Sequence, residues 1–233
     1  MTTLILLAAG RGSRMKGLTQ DIPKCLNHYH GKSLIQHILD ISTKFKEEIT
    51  RTVIISGYKS ELLAALEYEI LENKDWSITG PFRSLLLAEK YLKTTPCIVS
   101  YTDIVYGEEF LKSCLVSKAS IFLPSNANFE QSWSGRQVDI LKDLESFISA
   151  DNKLIEIGNR PKALNEVQGQ FAGIFKTLPD GWKSLAEVQK SVDSQNLDMT
   201  GLFSLALKKG ISIECKQIKS NWKEFDLPSD FDE

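Results

Sequence analysis

The chain has 233 residues, 42% of them hydrophobic and 25% charged, and a formal net charge of −2. That length can bury the core of one sizeable α/β domain, and the composition is ordinary for a globular enzyme. Without a basic surplus the chain is a poor general nucleic-acid binder, and no apolar stretch reaches the length that crosses a bilayer, so neither nucleic acid nor membrane is expected as a partner. Cys25, Cys97, Cys114 and Cys215 stand far apart with no CxxC pair, which indicates neither a zinc site nor a disulfide framework. The N-terminus lacks a basic n-region and does not read as a signal peptide. A reducing cytoplasm is the expected compartment.

The first predicted element is a buried strand over Leu4-Ile5-Leu6-Leu7-Ala8-Ala9. It runs straight into Gly10-Arg11-Gly12-Ser13-Arg14-Met15, and Pro23-Lys24-Cys25-Leu26 follows. Glycine lets a backbone approach an anion closely. Its N–H groups, with Arg14 and Lys24 beside them, make a cradle for phosphates. Ser33 is expected to cap a helix carrying Leu34, Ile35, Ile38, Leu39, Ile41 and Phe45, with Gln36 closing a capping box. A strand over Thr52–Ser56 stops at Gly57, and Ser60 is placed as the cap of a second helix with Leu62, Leu63, Leu66 and Ile70. A third helix is expected over 83–93. Cys97–Ser100 reads as a strand that delivers Tyr101-Thr102-Asp103, followed by a helix over 107–117 and a strand over 120–123.

Such alternation predicts an α/β fold with a doubly wound, mostly parallel sheet. Ligands of these sheets lie at the carboxyl ends of the strands, where both the opening loop and Asp103 fall. Beyond residue 123 the pattern is less regular. Short strands are expected over 146–148 and 154–157, a longer one over 169–175, helices over 182–192 and 198–209 with Gly210 as the stop, and a strand over 211–217. No linker or repeat divides the chain. It therefore reads as a single domain over 1–233: a nucleotide-binding half at 1–123, and an acceptor-binding half at 124–233 formed as a smaller β-rich insertion or lid.

The loop is not a Walker A motif, because no Gly-Lys-Ser/Thr closes it. Nor is it a dinucleotide fingerprint, since Met15 stands at the third glycine position. The whole pattern, Leu-Ala-Ala-Gly-x-Gly-x-Arg-Met followed by Thr19 and Pro23-Lys24, resembles the signature of nucleoside-triphosphate transferases with a glycosyltransferase-A-like fold. The later segments are similar to those of the cytidylyltransferase branch, whose members act on phosphocholine, 2-aminoethylphosphonate or phosphoglutamine. They are Val99–Tyr106, Leu144-Glu145-Ser146-Phe147, Gln168–Ile174, Asp198-Met199-Thr200 and Trp222–Asp226. The resemblance runs from about residue 4 to about residue 231. At one place the chain departs from the branch: an Asn that related cytidylyltransferases often carry shortly before a Ser-Leu pair is absent from Thr79-Gly80-Pro81-Phe82-Arg83-Ser84-Leu85.

The resemblance implies a Mg²⁺-dependent transfer of CMP from CTP to a small amino-bearing phosphate or phosphonate, with pyrophosphate released. The nucleophile is already an anion, so catalysis reduces to alignment and charge neutralisation. Leu7, Ala8, Ala9, Gly10, Gly12, Ser13, Arg14, Gly80 and Ser84 would bind the nucleotide. Arg14 would hold the β- and γ-phosphates, and Lys24 would stabilise charge at the α-phosphate. Asp103 and Asp226 would hold the Mg²⁺. Tyr101, Trp133, Arg136, Glu145, Gln168, Gln170 and Trp182 are the acceptor-binding candidates, with Glu156, Arg160 and Trp222 as further options. An aromatic wall suits an ammonium, and Gln168 and Gln170, two apart on a strand, would share a face. A homodimer and a role in decorating surface polysaccharides or phosphonate lipids are compatible with this reading. The alternatives are a sugar-1-phosphate nucleotidyltransferase and a regulatory domain that binds nucleotide without turnover. His28, His30 and His37 lack spacing for a third metal ligand and read as a polar turn ahead of the Ser33 helix.

Overall fold

The computed structural model describes residues 1–133, 141, 144–190 and 195–232. Its strands begin with β1 (Thr2–Ala8), β2 (His28–Tyr29), β3 (Lys32–Ser33), β4 (Ile49–Ser56), β5 (Glu69–Glu72), β6 (Cys97–Tyr101) and β7 (Ile104–Tyr106). The second half adds β8 (Ile121–Asn126), β9 (Phe147–Ala150), β10 (Lys153–Ile157), β11 (Gln170–Phe171), β12 (Ile174–Thr177), β13 (Glu214–Ile218) and β14 (Trp222–Glu224). The helices are α1 (Leu34–Thr43), α2 (Pro81–Leu85), α3 (Glu89–Leu92), α4 (Glu108–Val116), α5 (Phe129–Trp133), α6 (Pro179–Gln189) and α7 (Met199–Lys208).

A ten-stranded sheet runs in the order β5-β4-β1-β6-β12-β8-β13-β10-β9, with β11 paired to β8. β5, β4, β1 and β6 are parallel neighbours, and β8 and β13 are a second parallel pair. β12 enters antiparallel between β6 and β8, so the sheet is mixed but mostly parallel, as the alternation predicts.

Burial on both faces explains the unbroken apolar run of β1. Leu4, Leu6 and Ala8 join one core with α1 and α4 through Ile35, Ile38, Phe110 and Leu111. Ile5 and Leu7 point the other way, into a core completed by Phe82, Trp182, Leu202 and Phe203. Helices thus cover both faces, which is why an alternating polar face is absent from the central strands. Phe129, Trp133, Leu144 and Val167 make a separate small core in the second half.

Several local expectations change in the structure. Ser33 caps α1 by accepting from the Gln36 N–H at 3.4 Å, but the Gln36 side chain donates forward to Asp40 at 2.7 Å and closes no capping box. Ser60 opens a 3-10 segment, Ser60–Leu66, instead of an α-helix. Its hydroxyl pairs with Ser56 at 2.6 Å, and Ile70 is drawn out of the helical pattern to pair with Ile54 in β5. The expected strand over 169–175 is two strands, because Gly173 turns the chain at φ 70°. A Cβ there would sit 2.9 Å from Ile104 Cδ1, which only glycine avoids. The helix expected over 83–93 forms as α2, a 3-10 turn at Leu86–Ala88 and α3. No helix among the described residues is long and apolar enough to cross a membrane.

Candidate active site

The carboxyl ends of β1 and β6 meet in a cleft. Thr102 Oγ1 donates to the Leu7 carbonyl at 2.7 Å and locks the two ends side by side. Beyond β1 the Tyr58 N–H donates to the Ala9 carbonyl at 3.0 Å, and the Thr19 hydroxyl donates to the Gly12 carbonyl at 3.0 Å. The loop is thus pinned from two sides while its tip stays exposed. Gly12 adopts φ 72°, and a Cβ there would come within 2.8 Å of Lys24 Cδ. Glycine at this position lets the lysine cross directly over the loop.

Lys24 is the charge centre of the site. Its ammonium donates to Asp103 Oδ2 and to Asp226 Oδ1, each at 2.8 Å. The Arg14 guanidinium joins Asp226 Oδ1 at 3.0 Å. The side chains of Lys24, Asp226 and Asp103 retain 11%, 15% and 28% of their exposure, against 63% for Arg14. Arg14 is therefore the reachable charge and Lys24 the fixed one. Burial pulls the lysine pKa down, but the Asp103 and Asp226 carboxylates together outweigh it and hold the ammonium firmly protonated. Lys24 is unsuited to act as a base and suited to act as a permanent cation. Cys25 beside it is no nucleophile, since burial pushes its thiol up to about 12.

Asp226 is itself positioned. The buried Asp230 carboxylate accepts from the Asp226 N–H at 2.7 Å and the Leu227 N–H at 2.8 Å. β14, which carries the chain to Asp226, lies antiparallel on β7, and the Phe225 N–H donates to the Asp103 carbonyl at 2.9 Å. The two carboxylates are brought together by this ribbon although far apart in sequence. Both place an oxygen on the Lys24 ammonium, and carboxylate oxygens are the hard donors that Mg²⁺ takes.

Two cavities meet at this centre. The first is lined by Leu7, Ala8, Ala9, Gly10, Gly12, Arg14, Lys24, Gly80, Ser84, Tyr101 and Asp103, all expected at the site, together with Trp76, Thr79 and Thr102. Ser13 is exposed at the start of a 3-10 turn and stands outside that wall. The second cavity contains Arg14, Tyr101 and Asp103 again and adds Asp226, Trp133, Glu145 and Gln170. Trp133 Nε1 donates to Gln170 Oε1 at 2.8 Å, which orients both side chains.

The remaining acceptor candidates fall elsewhere. Trp182 is fully buried in α6, stacked on Phe82 at 5.9 Å between ring centres, so it is core. Gln168 lies ahead of β11, and its Oε1 accepts from the Ser149 N–H at 2.8 Å, so it does not share the cavity-facing side of Gln170. Glu156 is outside the cavity lining as well. Arg136 lies outside the described residues. His28 and His30 belong to the β2–β3 hairpin and His37 to α1, from which its Nε2 meets the Tyr29 carbonyl at 2.8 Å. No cluster of three or more metal-ligating side chains occurs among the described residues.

Sequence reasoning missed Trp76, Asp198, Glu224 and Asp230 as site residues. Asp198 was legible only as part of the Asp198-Met199-Thr200 segment; in the structure it is the N-cap of α7, accepting from the Gly201 N–H at 2.7 Å. Asp230 had a local signal: Leu227-Pro228-Ser229-Asp230 places an acid three residues into a proline-started turn. Glu145 is half-buried, and desolvation raises its pKa, with the Asp198 charge adding to the shift.

A strand-to-glycine loop facing a lysine held between two carboxylates defines an enzyme that works on nucleoside triphosphates. The family model for the MobA-like NTP transferase domain matches residues 4–148, and the chain belongs to that family of nucleotidyltransferases. It is similar to a CTP:phosphoglutamine cytidylyltransferase of Campylobacter jejuni, 26% identical, over 98% of this chain and 97% of the relative. Its fold is shared by the inositol-1-phosphate CTP transferase of T. maritima, with a TM-score of 0.77 and 22% identity, over 98% of this chain and 90% of that one. It is also shared by the CTP:phosphocholine cytidylyltransferase of Streptococcus pneumoniae, with a TM-score of 0.76 and 18% identity, over 99% and 96%. The expected fold and the expected resemblance to the cytidylyltransferase branch are thus both borne out.

Proposed function

We propose that the protein transfers CMP from CTP to a small amino-bearing phosphate or phosphonate and releases pyrophosphate. The observation that carries this reading is the position of Lys24, Asp103 and Asp226 where the two cavities meet. The nucleotide occupies the first cavity, with its β- and γ-phosphates on the loop N–H groups and Arg14. The acceptor occupies the second. An acceptor oxygen attacks the α-phosphorus, a new P–O bond forms, and the α–β bridging bond breaks with its electron pair leaving on pyrophosphate. No proton has to be removed from the nucleophile, which agrees with a site whose central residue is a fixed cation. Lys24 stabilises the charge that grows on the α-phosphoryl oxygens. Asp103 and Asp226 would hold a Mg²⁺, which supplies further neutralisation of phosphate charge when bound.

The acceptor's amine is supported by the lining of the second cavity. Glu145, Asp198 and Glu224 surround it with carboxylate charge, and Trp133 and Trp222 add aromatic faces. Such a wall favours an ammonium group. Arg160 is on the same wall and suits a carboxylate or phosphate of the acceptor. The test is pyrophosphate release with each of four nucleoside triphosphates against phosphocholine, 2-aminoethylphosphonate, phosphoglutamine and sugar 1-phosphates. Turnover of CTP with an amino-bearing acceptor is expected. Turnover with a sugar phosphate alone would overturn the acceptor assignment.

A further inference from the structure

A buried asparagine behind the nucleotide cavity is not part of its wall, yet it fixes which hydrogen-bonding groups the wall presents. Asn73 is 7% exposed. Its Oδ1 accepts from the Asp75 N–H at 3.0 Å. A backbone N–H can only donate, so the amide cannot be turned round. The Nδ2 amine therefore faces the other side, where it donates to Ser84 Oγ at 2.9 Å and to Thr79 Oγ1 at 3.0 Å. Both residues line the cavity.

The consequences for the two hydroxyls are opposite. Thr79 gives its own proton to the Asp75 carbonyl at 2.8 Å. With that proton committed, it offers the cavity only a lone pair. Ser84 already accepts from Asn73, and no acceptor among the described residues takes its proton. It faces the cavity as a donor. The wall thus presents one acceptor and one donor.

Cytosine carries the complement: N3 accepts and the 4-amino group donates. Uracil and thymine are reversed at both positions, with N3–H donating and O4 accepting. We propose that Asn73 is a positioning residue that selects cytosine by fixing the hydrogen-bond polarity of Ser84 and Thr79. Ser84 donates to N3, and Thr79 accepts from the 4-amino group. Trp76, on the same wall and held edge-on by Tyr58 at 5.1 Å, supplies an apolar face for the ring. This inference rests on the reading of the first cavity as the nucleotide site. A wall of groups with fixed polarity rejects a reversed partner, because the mismatched groups stay unpaired.

The test is selectivity rather than activity alone. Aspartate in place of Asn73 has the same shape but only accepts, so it draws the Ser84 proton inward and turns Ser84 into an acceptor. Asn73→Asp is expected to lower the ratio of kcat/KM for CTP over UTP by about tenfold or more. A residue that merely braces the loop would depress both nucleotides equally, and an unchanged ratio overturns the proposal. A second arm uses the wild-type protein and so does not depend on how the variant folds. Pyrimidin-2-one riboside triphosphate keeps the N3 acceptor and lacks the 4-amino group. It is expected to be turned over about tenfold better than UTP, and UTP equalling it overturns the N3 contact. Thr79→Val should weaken CTP while leaving the pyrimidin-2-one nucleotide unchanged, and equal losses on the two overturn the Thr79 assignment. Wild-type protein that turns over no nucleoside triphosphate sinks the enzyme reading and this inference together. Wild-type activity on CTP with an unmoved ratio sinks this inference alone.

Discussion

The two cavities are built in different ways. The first is built around one continuous piece of chain, the glycine-containing Leu7–Arg14 loop, with Lys24 and the Trp76–Ser84 segment beside it. The second is assembled from side chains on at least five separated segments, among them Trp133, Glu145, Gln170, Asp198 and Glu224. A triphosphate is the same anion in every substrate, so backbone N–H groups and a strand-end loop can hold it. An acceptor differs from enzyme to enzyme, and side chains carry that difference. The contrast predicts that changes in the first cavity act on all reactions, while changes in the second act on acceptor use alone.

The largest effect is expected at the centre where the cavities meet. Lys24→Ala should reduce kcat by about 10³-fold whichever acceptor is supplied, measured as pyrophosphate release. Retained turnover would show that the shared centre is not where the chemistry occurs. Asp226→Asn should cost about 10²-fold in kcat and raise the Mg²⁺ concentration needed for half-maximal rate; an unchanged Mg²⁺ requirement would remove Asp226 from the metal site. Glu145→Gln should raise the acceptor KM by about tenfold and leave the CTP KM alone, and a matching change in the CTP KM would erase the contrast.

That same carboxylate gives the contrast a pH signature. Desolvation raises the Glu145 pKa, so its charge is lost at a higher pH than for an ordinary glutamate. The acceptor KM should therefore rise as pH falls toward that value, while Glu145→Gln flattens the profile. In stability terms the sign is the reverse: a carboxyl whose folded pKa is raised favours the native state more as pH falls through it. Trp133→Phe should have the smallest effect, a few-fold rise in acceptor KM, because it removes only the indole donor to Gln170. A loss as large as that of Glu145→Gln would make the indole a direct acceptor contact.

The same contrast governs what could be read from the sequence. β1, its loop and Lys24 are contiguous, and their spacing carries their geometry. The Cys97–Asp103 strand was legible because a β-branched run ending in Asp places the acid at a strand end. The cavity of the second half was only half legible. Glu145, Gln170 and Trp133 reach it, but Trp182 goes to the core, because one face of α6 packs on Phe82. Gln168 failed because periodicity assumes a straight strand, and the strand does not begin until Gln170. Ile70 failed for a related reason: it fits a helical stripe, but the open edge of β4 offered it a strand to pair with.

The pairing of β14 with β7 has a consequence for the order of assembly. Asp103 stands at the end of β6, but its partner carboxylate arrives only when the Trp222–Glu224 strand docks and Asp230 clamps the following turn. Until then the Lys24 ammonium has one carboxylate neighbour, and the second cavity lacks the wall that Trp222 and Glu224 provide. A chain folded through β6 alone would carry a triphosphate cradle with no complete charge centre. The docking of one short strand therefore sets Asp226 beside Lys24 and completes the Trp222 and Glu224 wall of the second cavity in one step.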